Sequence, residues 1–417
     1  MLVPLMLASA VLARPAAAQA PPRPGPDAQS EDAPGFGIGP FRFEPYVQVG
    51  TVGYDSNVYY NDDKIGDFTA SGGPGLRITL PRRSFEIYGD GYLNYLWFAE
   101  SMDQRRLQGR AGGGFTWRLG PVFLGAERFY MREFLRVTPE VTDRILRDTR
   151  DTRVFLTLGR PGARLKLTPD IFVSEQSLPE QQYYQGTDLN QTLTQDTYRA
   201  RVEISYALTP KTSLLLPADY QIDRFDNDPS RDGDSNRLGL GLSVQSQTAP
   251  LSMRAVAGVR LFRPADPRYV DSQAPWVEAN VTYRLGPKTR LEGTFHTDLE
   301  YSAFRSAEGA PTVSRLDYGV RLSRQITYKI DLLLWGRLDR RKSDGKLIVD
   351  PGDPQGTAID DQWWEASADL GYAFFSKIRV GVLARYSQRQ SNYSDFGVDG
   401  LTVGFSIRYA GTRLTTP

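Results

Sequence analysis

From Phe43 onward the chain alternates. In "TYRARVEISYAL" the apolar positions are Tyr198, Ala200, Val202, Ile204, Tyr206 and Leu208. The polar ones between them are Thr197, Arg199, Arg201, Glu203 and Ser205. Successive side chains of a strand point to opposite faces, and a helix cannot produce this period. "RRLQGRAGGGFTWRL" repeats it, with Leu107, Ala111, Phe115 and Trp117 set against Arg106, Arg110, Thr116 and Arg118. The period returns in "WVEANVTYRL", "SRLDYGVRLS", "WWEASADLGYAFF" and "GLTVGFSIRY". Short turns such as Pro81–Ser84, Gly120-Pro121 and Gly286–Lys288 alternate with long polar connections near 59–70, 135–151, 175–196 and 341–360. This predicts an all-β chain: a transmembrane antiparallel up-and-down β-barrel of about 18 strands, with long loops outside and short turns in the periplasm.

A soluble β-sandwich would show the same alternation, and three features separate the two. The strands run ~10–14 residues, against a mode of ~5–6 in soluble sheets. Aromatic residues recur near both ends of the apolar faces: Trp364 with Tyr372, and Tyr198 with Tyr206. At this spacing each pair spans roughly 20 Å of height, close to the two girdles of a band ~25 Å tall. Thirdly, "MLVPLMLASAVLARPAAAQAPPRPG" reads as a signal peptide, with an apolar stretch Leu2–Ala13 and a small-residue cleavage pattern at Ala16-Ala17-Ala18. The expected organisation is a signal peptide at 1–18, a Pro/Gly-rich periplasmic linker at 19–42, the barrel at 43–411 and a tail at 412–417. The expected location is the bacterial outer membrane, with its lipid around the barrel wall.

Composition narrows the chemistry. Lys plus Arg number 50 and Asp plus Glu 49, so no basic field for nucleic acid exists. The chain has no cysteine and one histidine, His296. Thiol nucleophiles and cysteine-based metal sites are excluded, and zinc sites built on histidine pairs are too. No cofactor and no metal are expected. "VGYDSNVYYNDDKIGDF", from Val52 to Phe68, starts like a calcium loop at Asp55 and Asn57. Tyr59 and Tyr60 then occupy positions where a ligand and the turn glycine belong, and the closing glutamate is absent. It reads as a strand end running into an Asx-rich loop. A loose divalent site shared with acidic loops such as Asp226–Asp234 is the other reading.

The last strand carries Thr402, Gly404, Ile407 and Tyr409. This spacing resembles the signal that delivers outer-membrane barrels to the barrel assembly machinery. The start of the barrel, with Tyr54, Asp55 and Asn57 followed by Pro74-Gly75-Leu76 and a Tyr-rich strand at Tyr88–Trp97, resembles the putative β-barrel porin 2 family. The resemblance covers about 43–411. It implies an outer-membrane barrel of a kind often associated with exopolysaccharide production or export.

On the inward face the period places Arg106, Arg110, Arg118, Arg199, Arg201, Glu203, Arg290, Glu292, His296, Arg315, Asp317, Arg321, Glu365, Asp369, Arg379, Arg385 and Arg408. So many charges require water or paired networks. Rows of arginine supply positive charge and planar donors for carboxylate, phosphate or sugar hydroxyls, and they serve equally as ladders between strands. The expected function is a porin-like, non-enzymatic channel for small anionic or saccharide solutes, and the family resemblance alone implies an association with exopolysaccharide secretion. Polysaccharide or secretion components and further copies of the chain are the expected partners. The alternatives are a hydrolase using His296 beside Glu292, Asp298 and Glu300, and a non-conducting scaffold or adhesin acting through its long loops.

The facing assignment has a direct consequence. Val202→Arg should cost ~2–4 kcal/mol in folding titrations, because it sets a charge mid-strand against lipid. Arg201→Ser, one residue away on the inner face, should fold nearly normally. Equal losses from both would overturn the assignment.

Overall fold

The computed structural model describes residues 36–409 apart from 137, 139, 161, 246–249, 344, 350–354, 375–377 and 394–396. The expected signal peptide, most of the linker and the tail lie outside the described residues. Eighteen long strands run in order: β1 Phe41–Asp55, β2 Asp67–Pro81, β3 Phe85–Phe98, β4 Arg106–Leu119, β5 Val122–Leu135 and β6 Ile145–Leu158. They continue as β7 Leu165–Ser177, β8 Gln195–Ala207, β9 Thr212–Arg224, β10 Gly233–Val244, β11 Leu251–Pro264 and β12 Ser272–Arg284. The last six are β13 Thr289–Tyr301, β14 Thr312–Gln325, β15 Ile330–Ser343, β16 Asp360–Ala373, β17 Ile378–Ser391 and β18 Val398–Tyr409.

Each long strand pairs antiparallel with its sequence neighbours, and β1 pairs with β18. The sheet is therefore a closed up-and-down barrel, as the alternation and turn spacing predict. The short segment Phe36–Ile38 folds back on β1, with Phe36 opposite Phe43 and the two rings stacked at 5.4 Å. This corrects the expected linker, whose last residues are strand. The apolar "FGI" and "FRF" stretches meet across a turn at Gly39, which takes the positive φ of 59° that glycine tolerates.

Lipid-facing and lumen-facing side chains separate as the period requires. Val202, Tyr198 and Tyr206 are exposed on the outer wall, and so are Leu93, Tyr95 and Trp97 of β3. Trp364 lies against Tyr386 on that same side, 5.0 Å ring to ring. The closing seam is tight. Gly53 stands opposite Gly404, and a Cβ on Gly53 would lie 2.1 Å from the Val403 carbonyl oxygen. A bulge between Val49 and Thr51 adjusts the pairing on this strand.

The stretch that begins like a calcium loop fastens the outer end of this seam. Asn57 is fully buried. Its side-chain amide donates to the Asn61 carbonyl at 2.8 Å and to the Asp399 carbonyl at 3.0 Å. The Ser56 amide donates to Leu401 O, and the Leu401 amide donates back to Ser56 Oγ. Asp55 accepts from the Asn57 amide at 3.1 Å and faces Arg144 at 3.5 Å. Tyr54 lies outside, edge-on to Phe68. Asp67 accepts from the amides of Ala99, Glu100 and Ser101, which holds the next loop. Among the described residues no group of three or more His, Asp or Glu side chains is placed to hold a metal ion.

Gly53→Val should be destabilising by about 1–3 kcal/mol through overpacking at the seam. The loss should appear as a lower temperature at which the folded band disappears in heat-shifted gel electrophoresis. Gly293→Val, where a Cβ would meet nothing within 4 Å, should leave that temperature close to wild type.

Candidate functional site: a charged lumen under a roof of loops

The inner wall is a set of arginine–carboxylate clusters. Arg379 bridges Asp331 at 2.5 Å and Asp369 at 2.8 Å, linking β17, β15 and β16. Arg385 meets Glu365 at 3.0 Å. Glu203 receives Arg254 at 2.5 Å and Arg201 at 3.4 Å. Arg290 meets Glu292 at 2.5 Å, with Arg321 at 3.9 Å. On β13–β15, Arg315 contacts Glu300 at 2.5 Å, Asp317 at 2.6 Å and Asp339 at 3.0 Å. Arg337 joins the same two aspartates. Some of these pairs join neighbouring or more distant strands and others join alternate residues of one strand, so the arginines take the ladder role that the sequence offered beside that of solute donors. A charge leaving bulk water is stabilised by an opposite charge within hydrogen-bonding reach, and the sequence provides nearly equal numbers of both.

Other predicted wall residues find aromatic partners. Arg110 lies over the Phe129 ring at 3.8 Å, Arg199 over Phe172 at 5.1 Å and Arg106 over Phe134 at 5.3 Å. Arg118 is exposed at the periplasmic end of β4, 5.9 Å from Phe123. The side chains of Arg408 and Tyr409 lie outside the described residues. Thr402 and Gly404 sit in the seam opposite Asp55 and Gly53, and Ile407 faces outward.

His296 occupies the inner face, with Glu278 and Asp317 as its cross-strand neighbours. Among the described residues no serine side chain hydrogen-bonds to it. Both of these register partners are carboxylates.

Period two does not reveal the roof. Loops from opposite walls meet over the outer mouth around one apolar cluster. Val141 comes from the β5–β6 loop and Leu189 from the β7–β8 loop. Ala303 and Phe304 come from the β13–β14 loop, and Leu347 and Ile359 from the β15–β16 loop. At its centre Glu140 is fully buried. It accepts from the Ala303 amide at 2.6 Å and from Ser302 Oγ at 3.0 Å, while Arg389 donates to its carbonyl at 3.3 Å. Arg389 also holds Asp361 at 2.5 Å, and Arg231 donates to the carbonyls of Ser302 and Phe304. A second clasp joins Arg136 to Val58 O at 3.0 Å, with its guanidinium 4.5 Å from the Tyr60 ring. Tyr60 in turn stacks on Trp363 at 5.1 Å. Arg341 and Arg389 share the inward parity of Arg337 and Arg379, so the period could have marked them. Nothing local in the sequence marks Glu140.

The chain matches the family model described as putative β-barrel porin 2 over residues 29–410. No curated protein matches it in sequence. Among solved structures, OccK2 (OpdF) of Pseudomonas aeruginosa, in complex with glucuronate, is 13% identical with a TM-score of 0.48, covering 89% of this chain and 98% of that one. A BenF-like porin from Pseudomonas fluorescens Pf-5 is 12% identical with a TM-score of 0.48, covering 88% and 98%. OpdK of Pseudomonas aeruginosa with vanillate is 12% identical with a TM-score of 0.46, again covering 88% and 98%.

Burial raises the Glu140 carboxyl above its ordinary value, with Arg341 and the Ala303 amide acting against the shift and Asp361 with it. A carboxyl raised in the roofed state binds its proton more tightly there than in an open loop. The roof is therefore stabilised as pH falls, and that contribution is lost as pH rises through the raised value. Closed dwell times in bilayer recordings should shorten as pH increases, and Glu140→Gln should flatten the dependence. Dwell times that lengthen with pH would contradict the assignment.

Proposed function

As this chain belongs to the putative β-barrel porin 2 family and is a porin-type barrel of the outer membrane, we propose that it passes small anionic or saccharide solutes through a lumen gated at its outer mouth. The observation that carries this reading is the inner wall itself. Eighteen strands enclose a space too wide for side chains alone to fill, and the wall facing it carries arginine–carboxylate clusters on many strands. Arginine–carboxylate ladders present donors and acceptors together, which suits polyhydroxylated and carboxylated solutes. The link to exopolysaccharide secretion rests on the family association alone.

The function divides between two sets of residues. The paired arginines hold the wall and contribute little net field. Arg199 and Arg106, set against aromatic rings with no carboxylate within 4 Å among the described residues, supply the positive field that favours anions. The roof favours a second reading, a non-conducting scaffold that presents its outer loops to a partner.

Planar-bilayer recording separates the two readings. The channel reading expects discrete openings with a modest anion preference in a salt gradient. Arg199→Glu with Arg106→Glu should move the reversal potential toward cations, since lumen charges act at close range despite screening over ~8 Å. Arg379→Gln should instead cost about 1–3 kcal/mol of stability, because it leaves Asp331 and Asp369 facing each other. A folded protein that never opens, at any pH or voltage, supports the scaffold.

A further inference from the structure

One part of the outer wall breaks the apolar pattern. On β5 and β6 the outward positions Arg128, Tyr130, Arg132, Asp148 and Arg150 line a groove of about 560 Å³ together with Ala111 and Gly112. A charge on this face is costly unless it reaches the headgroup layer or meets an opposite charge.

The register gives the height of the patch. Arg132 pairs with Gly109, and Gly109 with Leu93, two residues below Tyr95 of the upper aromatic ring. In the other direction Arg128 pairs with Thr152, Thr152 with Val173, and Val173 with Tyr198, another upper aromatic. The ladder climbs obliquely because the strands tilt. Arg132, Asp148 and Arg150 therefore lie level with the upper ring, where outer-leaflet headgroups sit. Arg128 lies one to two residue pairs lower and can reach upward along its own stem.

The charges in the patch are partly committed. Arg132 makes a two-pronged contact with Asp148 at 2.6 and 2.7 Å, which fixes its plane. Arg150 meets Glu175 only at 3.5 Å, with both side chains exposed. Arg128 is exposed and has neither an ion pair nor a hydrogen bond among the described residues. Beside them the wall carries no bulk at Gly89 and Gly91, where an added Cβ would meet nothing nearer than 3.7 and 3.4 Å. The patch thus sets a strip of wall without side-chain bulk beside an arginine cluster at its upper edge. An acyl chain fits the first and a phosphate the second.

We infer that this groove holds a phosphorylated glycolipid of the outer leaflet, with its phosphate between Arg128 and Arg150 and its acyl chain over the glycine floor. The test is native mass spectrometry of the full protein in detergent, offered a diphosphorylated lipid A-type glycolipid or its dephosphorylated counterpart. The phosphorylated form should be retained at least about tenfold better, and Arg128→Ala with Arg150→Ala should abolish that preference. Arg150→Gln alone, at the exposed rim, should weaken it, while the lumen variant Arg201→Ser should leave it intact. Heat-shifted gel mobility verifies that each variant is folded. Inorganic phosphate at equal concentration should not displace the glycolipid, because it lacks the acyl contacts. Equal retention of both glycolipids would overturn the assignment, as would a preference surviving in the folded double variant. Displacement by inorganic phosphate would reduce the groove to a bare anion site. An oligomer that the double variant dissociates, with no glycolipid bound to it, would make this face an interface between copies instead.

Discussion

In a hydrocarbon layer no water is available to an unpaired backbone N–H or C=O. That constraint governs this chain. Each long strand must have a neighbour on both sides, so the last must find the first. The Gly53–Gly404 contact and the Asn57 clasp lie where that closure is made. The acidic loop that looks like a metal site is needed for this purpose, since its Asp and Asn side chains satisfy amides and carbonyls at the one junction without a hairpin. Asn57 commits its side-chain amide to the closed ring and Asp55 holds the Asn57 backbone amide, while Tyr54 packs its ring on Phe68 outside.

Closure fixes two faces, and the two carry different electrostatic rules. Outside, apolar side chains meet lipid between aromatic rings. Inside, charge is tolerated where it is paired, and arginine serves because its flat group can meet two carboxylates at once, as Arg379 does with Asp331 and Asp369. The ladders couple neighbouring strands below the surface of the wall. The loops couple opposite walls above it. Glu140, carried inward on the β5–β6 loop, reaches Ser302 and Ala303 on the far side and brings a buried carboxyl with it. In the proposed channel, solute access would depend on a small number of polar contacts inside an otherwise apolar roof.

The wall was legible in the sequence because strand geometry is periodic. Val202 and Arg201 take opposite faces by parity alone, and the inward set from Arg106 to Arg385 follows from the same rule. Pairing was legible only in part. That Glu203 should meet its same-strand neighbour Arg201 follows from the period, but that it should also meet Arg254, three strands away, depends on the stagger between strands, which alternation does not encode. The roof was not legible, because loop residues such as Val141 and Phe304 have no period and their contacts join segments far apart in the chain. The short strand at Phe36–Ile38 was concealed by the Gly and Pro around it. The outward arginines of β5 and β6 were not singled out in the sequence, and they take their meaning from a height that only the register supplies.

The absence of native cysteine makes the central structural claim, a roof built from opposite walls, directly measurable. Glu140→Cys combined with Ser302→Cys sets one thiol on each of the two loops that a side-chain hydrogen bond of 3.0 Å now joins. A short bifunctional thiol reagent with a cleavable disulfide spacer, applied to outer-membrane vesicles, should join them, seen as a change in gel mobility of the denatured chain that a reductant reverses. The account predicts efficient cross-linking of this pair and none between Glu140→Cys and a control thiol at Tyr328→Cys on a periplasmic turn. Two thiols at 140 and 302 that stay unjoined and react freely with a maleimide from outside would contradict it.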